Sequence, residues 1–315
     1  MNLRKAIAVR LVRAFGLNQE RYVRFPWAAA NGPIYYIVRR NLNWGDAGFF
    51  SNWLYALTHI AYAKEKGWIP VVDMRNCHTL YSEKHPVNGT RNAWEYYFEQ
   101  PVDTRTAYRS GRFVLSTGSG RKKSYMPFVE TDERLDLVPE RAEQLKAAAA
   151  DYMHVRPDLL LSFEEWETTH LAGKRVLGVH WRGTDKRAPP PGHRSTTSLE
   201  ALLTAVSDLR DRRKPDLIFL ASDETGIRER IEEAAGVPVV QTEACRLDAG
   251  DARGLHLANV RHARPNHRYL LGLEVLRDAW LLSRCDFLVH GHSNVVNAVL
   301  LLRDRPFDDR ILVRT

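Results

Sequence analysis

Cysteine is scarce in this chain: three in 315 residues, at Cys77, Cys245 and Cys285. The number is odd, the spacings are wide and no C-x-x-C pair exists, so neither a disulfide framework nor a zinc ribbon is expected. Reduced thiols in a cytosolic protein are the simplest account. No apolar run reaches the ~18 residues a membrane-spanning helix needs. A cleaved signal peptide is not expected, because Arg10 and Arg13 interrupt any apolar stretch near the start. No internal repeat is visible, and no low-complexity tract beyond Pro189-Pro-Pro191. Several chemistries lack their signatures. Neither half opens with a G-x-G-x-x-G after its first strand, which argues against a dinucleotide oxidoreductase, and H-E-x-x-H and G-x-S-x-G are missing. No Asp-x-Asp pair is present to hold Mg²⁺ on a nucleotide diphosphate. Ser116 to Lys123 has the glycines and lysines of a phosphate loop without its spacing and reads as a basic surface loop. The 12 histidines are scattered, so no metal site is expected.

What is present is a globular composition, 44% hydrophobic and 27% charged, with a formal net charge of +8. That balance favours anionic partners without choosing among nucleotide, nucleic acid and membrane surface. Basic residues crowd the first 24 positions: Arg4, Lys5, Arg10, Arg13, Arg21 and Arg24 stand against Glu20 alone. Leu3, Ile7, Leu11 and Phe15 fall on one helical face, so this segment reads as a basic helix, lying either on anionic lipid or on the protein's own body.

The rest alternates. Ile34–Arg39 reads as a strand, Asn43 to Gly48 as a small-residue turn, Phe49 to Lys66 as a helix ended by Gly67, and Ile69–Asp73 as a second strand. The middle is less regular, with Arg112–Leu115 a strand and helices over Arg141–Tyr152 and Pro157–Leu171. From Val176 the βα alternation is clean. Strands at Val176–Trp181, Leu217–Ala221, Val237–Gln241 and Phe287–Val289 alternate with helices at Ser198–Asp211, Thr225–Ala235, Tyr269–Ser283 and Asn294–Leu302. Such alternation implies parallel sheets covered on both faces. The chain is thus α/β, in two domains, 1–172 and 173–315.

In open α/β sheets ligands bind beyond the carboxyl ends of the strands. The first strand of the second domain ends in His180, Arg182, Thr184 and Asp185, the next in Ser222-Asp223-Glu224, the third in Gln241-Thr242-Glu243, and the fourth in His290-Gly-His-Ser293 before a helix. A guanidinium beside a small-residue turn suits a phosphate, and a helix N-terminus adds N–H groups and partial positive charge. Arg182 and the helix start at Ser293 would grip a diphosphate from two sides without a metal. Blander readings stand beside these: a core histidine at 180, and helix N-caps at Ser293 and Asp278.

With these blocks in order, the chain resembles the inverting fucosyltransferases that use GDP-fucose, of the α1,6 type. The resemblance rests on Tyr36-Ile-Val-Arg-Arg, Trp44-Gly-Asp46 and Val71-Val-Asp73. It continues through Gly178-Val-His-Trp-Arg-Gly-Thr-Asp-Lys186, Phe219 to Glu224, Gly254-Leu-His256, Asp278 to Val289 and Ser293. It implies two Rossmann-like domains facing each other, the GT-B type, with GDP-fucose on the C-terminal domain and no cofactor. By position, Arg182 would bind the β-phosphate, and His180 and Asp278 the guanosine side, with Asp278 accepting from guanine N–H groups. Ser293 would bind the diphosphate, with Asn294 standing where the family has a second serine. Asp223 and His256 would lie near the sugar or ribose. The chain departs from the family at Gly183, where the core α1,6-fucosyltransferases have a second arginine, and at the Pro189-Pro-Pro191 tract, where a candidate base would fall. Asp46, Asp185 and Asp223 remain as candidate bases.

The expected activity is metal-independent transfer of fucose from GDP-fucose to a glycan acceptor, one attached to lipid being favoured by the basic N-terminus. Localisation would then be cytoplasmic, peripheral at the inner membrane face. Alternatives are a GT-B enzyme with another nucleotide sugar, or a non-enzymatic basic module for anionic glycan or nucleic acid. For nucleic acid itself neither an RNP-like strand nor a helix-turn-helix is present.

Overall fold

The computed structural model describes residues 20–40, 47–117, 128–130, 135–183, 198–248 and 263–313. The chain folds as two compact units, Met1–Pro127 with Val138–Arg156, and Phe128–Leu137 with Pro157–Thr315. The sequence placed a boundary at 172/173. Two segments before that point belong to the second unit: Phe128–Leu137, and the helix Pro157–His170, which packs on a helix of that unit.

The first unit holds a four-stranded sheet in the order β1-β4-β2-β3, built from β1 (Arg21–Arg24), β2 (Tyr35–Val38), β3 (Ile69–Val72) and β4 (Arg112–Leu115). Strands β2, β3 and β4 are parallel and β1 runs antiparallel to β4 at the edge. Arg21–Arg24 is therefore a strand, where the sequence suggested the end of a basic helix; residues 1–19 of that helix lie outside the described residues. Helix α1 (Phe49–Glu65) crosses between β2 and β3 and is buried nearly all round. It is covered by α3 (Pro139–Tyr152) and by an aromatic cluster in which Phe49 meets Tyr81 and Tyr97 edge-on. A short helix, α2 (Thr104–Arg109), capped by Asp103, precedes β4. Two short strands, β5 (Phe128–Glu130) and β6 (Leu135–Leu137), pair antiparallel.

The second unit is built on a five-stranded, wholly parallel sheet in the order β11-β10-β7-β8-β9. Its strands are β7 (Val176–Trp181), β8 (Leu217–Ser222), β9 (Val239–Val240), β10 (Phe287–His290) and β11 (Asp309–Leu312). The central β7 and β8 are buried at every position, as expected of parallel strands covered on both faces. Helices α5 (Leu199–Arg213) and α6 (Ile227–Ala235) cover one face, where Leu177, Val179, Trp181, Leu202, Val206, Ile227 and Ile231 form the core. On the other face lie α4 (Pro157–His170), α7 (His267–Leu282) and α8 (Asn294–Leu302), with α7 packed against both α4 and α8. Side chains alternate across β7, so Gly178 and His180 face α7. A Cβ at Gly178 would come within 3.0 Å of Leu282 Cδ2 and 3.2 Å of Cys285 Cβ, and the glycine is what lets the end of α7 approach the strand.

Candidate active site

The second unit's sheet has a topological switch point. From β7 the chain moves outward through β8 and β9, then returns to place β10 on the other flank of β7. In open α/β sheets the crevice for a ligand opens at the carboxyl ends of the strands where the order reverses. Here that point lies between β7 and β10, and their terminal histidines, His180 and His290, are register partners across it.

Both imidazoles are buried, His180 at 7% exposure and His290 at 1%. Burial holds His180 far below the ordinary histidine value, at about 3, helped by the nearby Arg182 cation and by His290. His290 is held at about 4, again by burial first, against the hydrogen bond at 3.0 Å between its Nδ1 and the Gly291 carbonyl. Both rings are therefore neutral, and Arg182, half-buried just past the strand, supplies the positive charge. The core-histidine reading and the site reading of His180 meet in one residue, since a neutral ring can still offer a donor and an acceptor to an uncharged group.

The turn that presents Arg182 is fixed from β8. The Gly183 N–H donates to Asp223 Oδ1 at 3.0 Å. The Trp181 indole donates to Glu224 Oε2 at 3.0 Å, and Glu224 is buried to 2% exposure. Glu224 is itself held by Ser222, whose Oγ accepts from the Glu224 N–H at 3.1 Å and donates to its carbonyl. A Cβ on Gly183 would meet Glu224 Oε2 at 1.8 Å and Trp181 Nε1 at 2.9 Å. The space beside the Gly183 backbone is thus filled by a buried carboxylate and an indole. Glu224 was passed over in the sequence as one of several polar residues at a strand end. The signal available was its pairing with a tryptophan and a glycine on the adjacent strand, which only the register reveals.

Asp278 lies in the interior of α7, which overturns its reading as a helix N-cap. It is buried to 7% exposure, and the Thr242 hydroxyl, just after β9, donates to its Oδ1 at 2.6 Å. Burial raises this carboxyl to about 6, partly opposed by Thr242, Arg246 and Arg277. Among the described residues that hydrogen bond occupies one of its two oxygens. One turn earlier, Glu274 forms a salt bridge with Arg264 and accepts from the Cys245 N–H at 3.2 Å. Arg246 donates to the Thr242 and Ala244 carbonyls. This α7 face thus ties down the loop after β9 and holds one carboxylate at the sheet's carboxyl edge.

Ser293 caps α8, its Oγ accepting from the Val295 N–H at 3.1 Å. Asn294 is exposed in the first turn and accepts from Asn297. The helix follows β10 directly and brings its N-terminal N–H groups to the same edge as His290. The structure thus brings His180, Arg182, Asp223, Asp278, Ser293 and Asn294 to one edge of one sheet. Asp46, Asp185 and His256 lie outside the described residues. The described residues contain no group of three or more His, Cys, Asp and Glu that could hold a metal ion.

The first unit has a polar cluster at its own strand ends. Arg40 is buried to 2% exposure, with its guanidinium 4.1 Å from the Tyr55 ring centre and its Nε donating to Asn52 at 3.0 Å. The Tyr55 hydroxyl donates to the Arg39 and Thr117 carbonyls and is pushed to about 12 by burial. Burial also lowers Arg39 and Arg40. In the sequence these arginines close the block Tyr36-Ile-Val-Arg-Arg, and nothing there showed how they are buried.

Two α/β units, the second on a wholly parallel sheet and the first on a sheet parallel except for its edge strand β1, define the fold as two Rossmann-like domains of the GT-B type. Among solved structures the chain is similar to the fucosyltransferase NodZ from Bradyrhizobium, at 16% identity and a TM-score of 0.50, covering 87% of this chain and 94% of that one. It is also similar to POFUT1 in complex with GDP-fucose, at 13% identity and a TM-score of 0.50, covering 91% of this chain and all of that one. At these identities the likeness is one of fold. No protein-family model and no curated protein sequence matches the chain.

Proposed function

We propose that this protein is an inverting, metal-independent glycosyltransferase that transfers fucose from GDP-fucose to a glycan acceptor, with the donor on the second unit. The observation that carries the reading is the convergence of Arg182, the N-terminus of α8 and Asp278 on the carboxyl edge of one parallel sheet. Cleavage of a glycosyl–phosphate bond builds negative charge on the departing diphosphate, and fixed donors aimed at that charge lower the barrier. Arg182 and the α8 N–H groups are such donors. Asp278 offers an acceptor for the guanine edge. An acceptor hydroxyl attacks the anomeric carbon in line and inverts it as its proton passes to a carboxylate. Asp46, Asp185 and Asp223 are the candidates for that base, and Asp223 is the weakest because its Oδ1 already holds the Gly183 N–H.

The fullness of the space beside Gly183 favours a second reading, a GT-B enzyme acting on another nucleotide sugar. A thermal-shift panel of GDP, GDP-fucose, GDP-mannose and UDP-sugars, with and without EDTA, separates the two. Stabilisation by GDP and GDP-fucose unaffected by EDTA is expected, and a ligand at 100 times its Kd contributes ~2.7 kcal/mol. Stabilisation by uridine nucleotides alone would overturn the guanosine assignment. In an assay with GDP-fucose, Arg182→Ala is expected to lose at least about 10²–10³-fold in turnover while keeping its circular dichroism spectrum. Full activity would remove Arg182 from the mechanism.

A further inference from the structure

The edge of the first unit carries exposed aromatic rings that no part of the donor chemistry uses. Tyr22 is 50% exposed, Phe25 38% and Trp27 66%, and the other exposed large hydrophobic side chain among the described residues is Leu161. Phe25 and Trp27 stack with ring centres 4.5 Å apart and planes within 7°. The group is built and not frayed: the Phe25 N–H donates to the Gly111 carbonyl at 2.7 Å, and Trp27 lies over Gly111, where a Cβ would meet its Nε1 at 2.7 Å. Arg112 reaches across from β4 to the Tyr22 hydroxyl and to the Ala30 and Gly32 carbonyls.

Charge surrounds the rings. Arg21 and Arg24 are exposed on the same strand. Glu20, the one carboxylate between residues 20 and 32, takes hydrogen bonds from the Tyr36 and Tyr62 hydroxyls. Position within the unit matters as well. Because β1 is antiparallel to β4, Phe25 and Trp27 follow the end of β1 that lies beside the amino end of β4. They are therefore at the opposite end of the sheet from Arg39, Arg40 and Ser116, where an open α/β sheet binds its ligands.

We propose that Tyr22, Phe25 and Trp27, flanked by Arg21 and Arg24, form a docking surface for an anionic lipid bilayer. Tyr22 and Trp27 are rings with an apolar body and a polar tip, which settle at the headgroup level, Phe25 adds apolar surface beside them, and the arginines are drawn by anionic headgroups. The proposal does not depend on the identity of the donor.

The test is co-sedimentation of the full chain with vesicles of phosphatidylcholine alone or mixed with phosphatidylglycerol. Wild type is expected to partition to the mixed vesicles and to release as salt rises. Phe25→Ser/Trp27→Ser, with residues 1–19 intact, is expected to lower the partition coefficient at least tenfold, and Arg21→Gln/Arg24→Gln to lower it and flatten its salt dependence. Circular dichroism and the thermal shift with GDP should be unchanged in both. Partitioning of either variant equal to wild type would overturn the proposal, as would failure of wild type to bind the mixed vesicles. A concentration-dependent dimer in sedimentation velocity that disappears in the aromatic variant would assign the face to a second copy of the chain instead.

Discussion

At the scale of single residues, the second unit is governed by what burial does to ionisable groups. His180 and His290 titrate well below the ordinary 6.5, at about 3 and about 4. A depressed folded value means their contribution to stability is complete above pH 6.5, declines as pH falls below 6.5, and is fully lost once pH has passed about 4 for His290 and about 3 for His180. Asp278 runs the other way: raised from 3.8 to about 6, its contribution is complete below pH 3.8 and is lost as pH rises through 6. Two groups oppose one, so the melting temperature should fall between pH 7 and pH 5. His290→Gln should flatten that fall and Asp278→Asn should steepen it, which differential scanning fluorimetry across pH would check. The Gly183 site gives a second prediction. Gly183→Ala forces Glu224 out of its bond with Trp181, and overpacking of this kind costs about 1–3 kcal/mol. Adding Glu224→Ala should return part of that loss, so a double-mutant cycle in urea should show coupling; strict additivity would mean that the two residues do not meet.

Among the elements, α8 combines a structural role and a proposed chemical one at a single residue, and the two can be separated. Ser293→Ala removes the cap and should cost about 1 kcal/mol. Ser293→Asp keeps a good cap and suits the helix dipole, so its melting temperature should hold, yet its carboxylate would face the diphosphate. Calorimetry should then show GDP affinity reduced at least tenfold, and unchanged affinity would place the diphosphate elsewhere. The elements also show how far the sequence could be read. The buried parallel strands β7, β8 and β10 were legible because both faces are covered, which leaves an unbroken apolar run followed abruptly by polar residues. Strands β1 and β11 were not, because they are edge strands whose exposed or half-buried positions carry arginine and aspartate and blur the alternation. Of the site, the polar strand ends could be named in advance. The roles of Glu224 and of the Thr242–Asp278 pair could not, because each depends on which strand or helix lies alongside.

For the whole molecule, the proposed donor site lies on one of the two units. If GDP binds where proposed, hydrogen exchange should slow in 176–183, 217–224 and 287–297 and stay unchanged in β2 and β3 of the first unit. Protection spread equally over both would contradict a donor site on the second unit. The sheet that carries this site has a further consequence, one of time. Its switch point joins β7 to β10, and the Val176 N–H donates to the Asp286 carboxylate from 110 residues away. Contacts between such distant parts of a chain bear a large loop-closure entropy and tend to form late. The ends of β7 and β10 that carry His180 and His290 do not lie side by side until that closure has occurred. If GDP binds at this switch point, it should therefore act by slowing unfolding and leave the rate of folding unchanged.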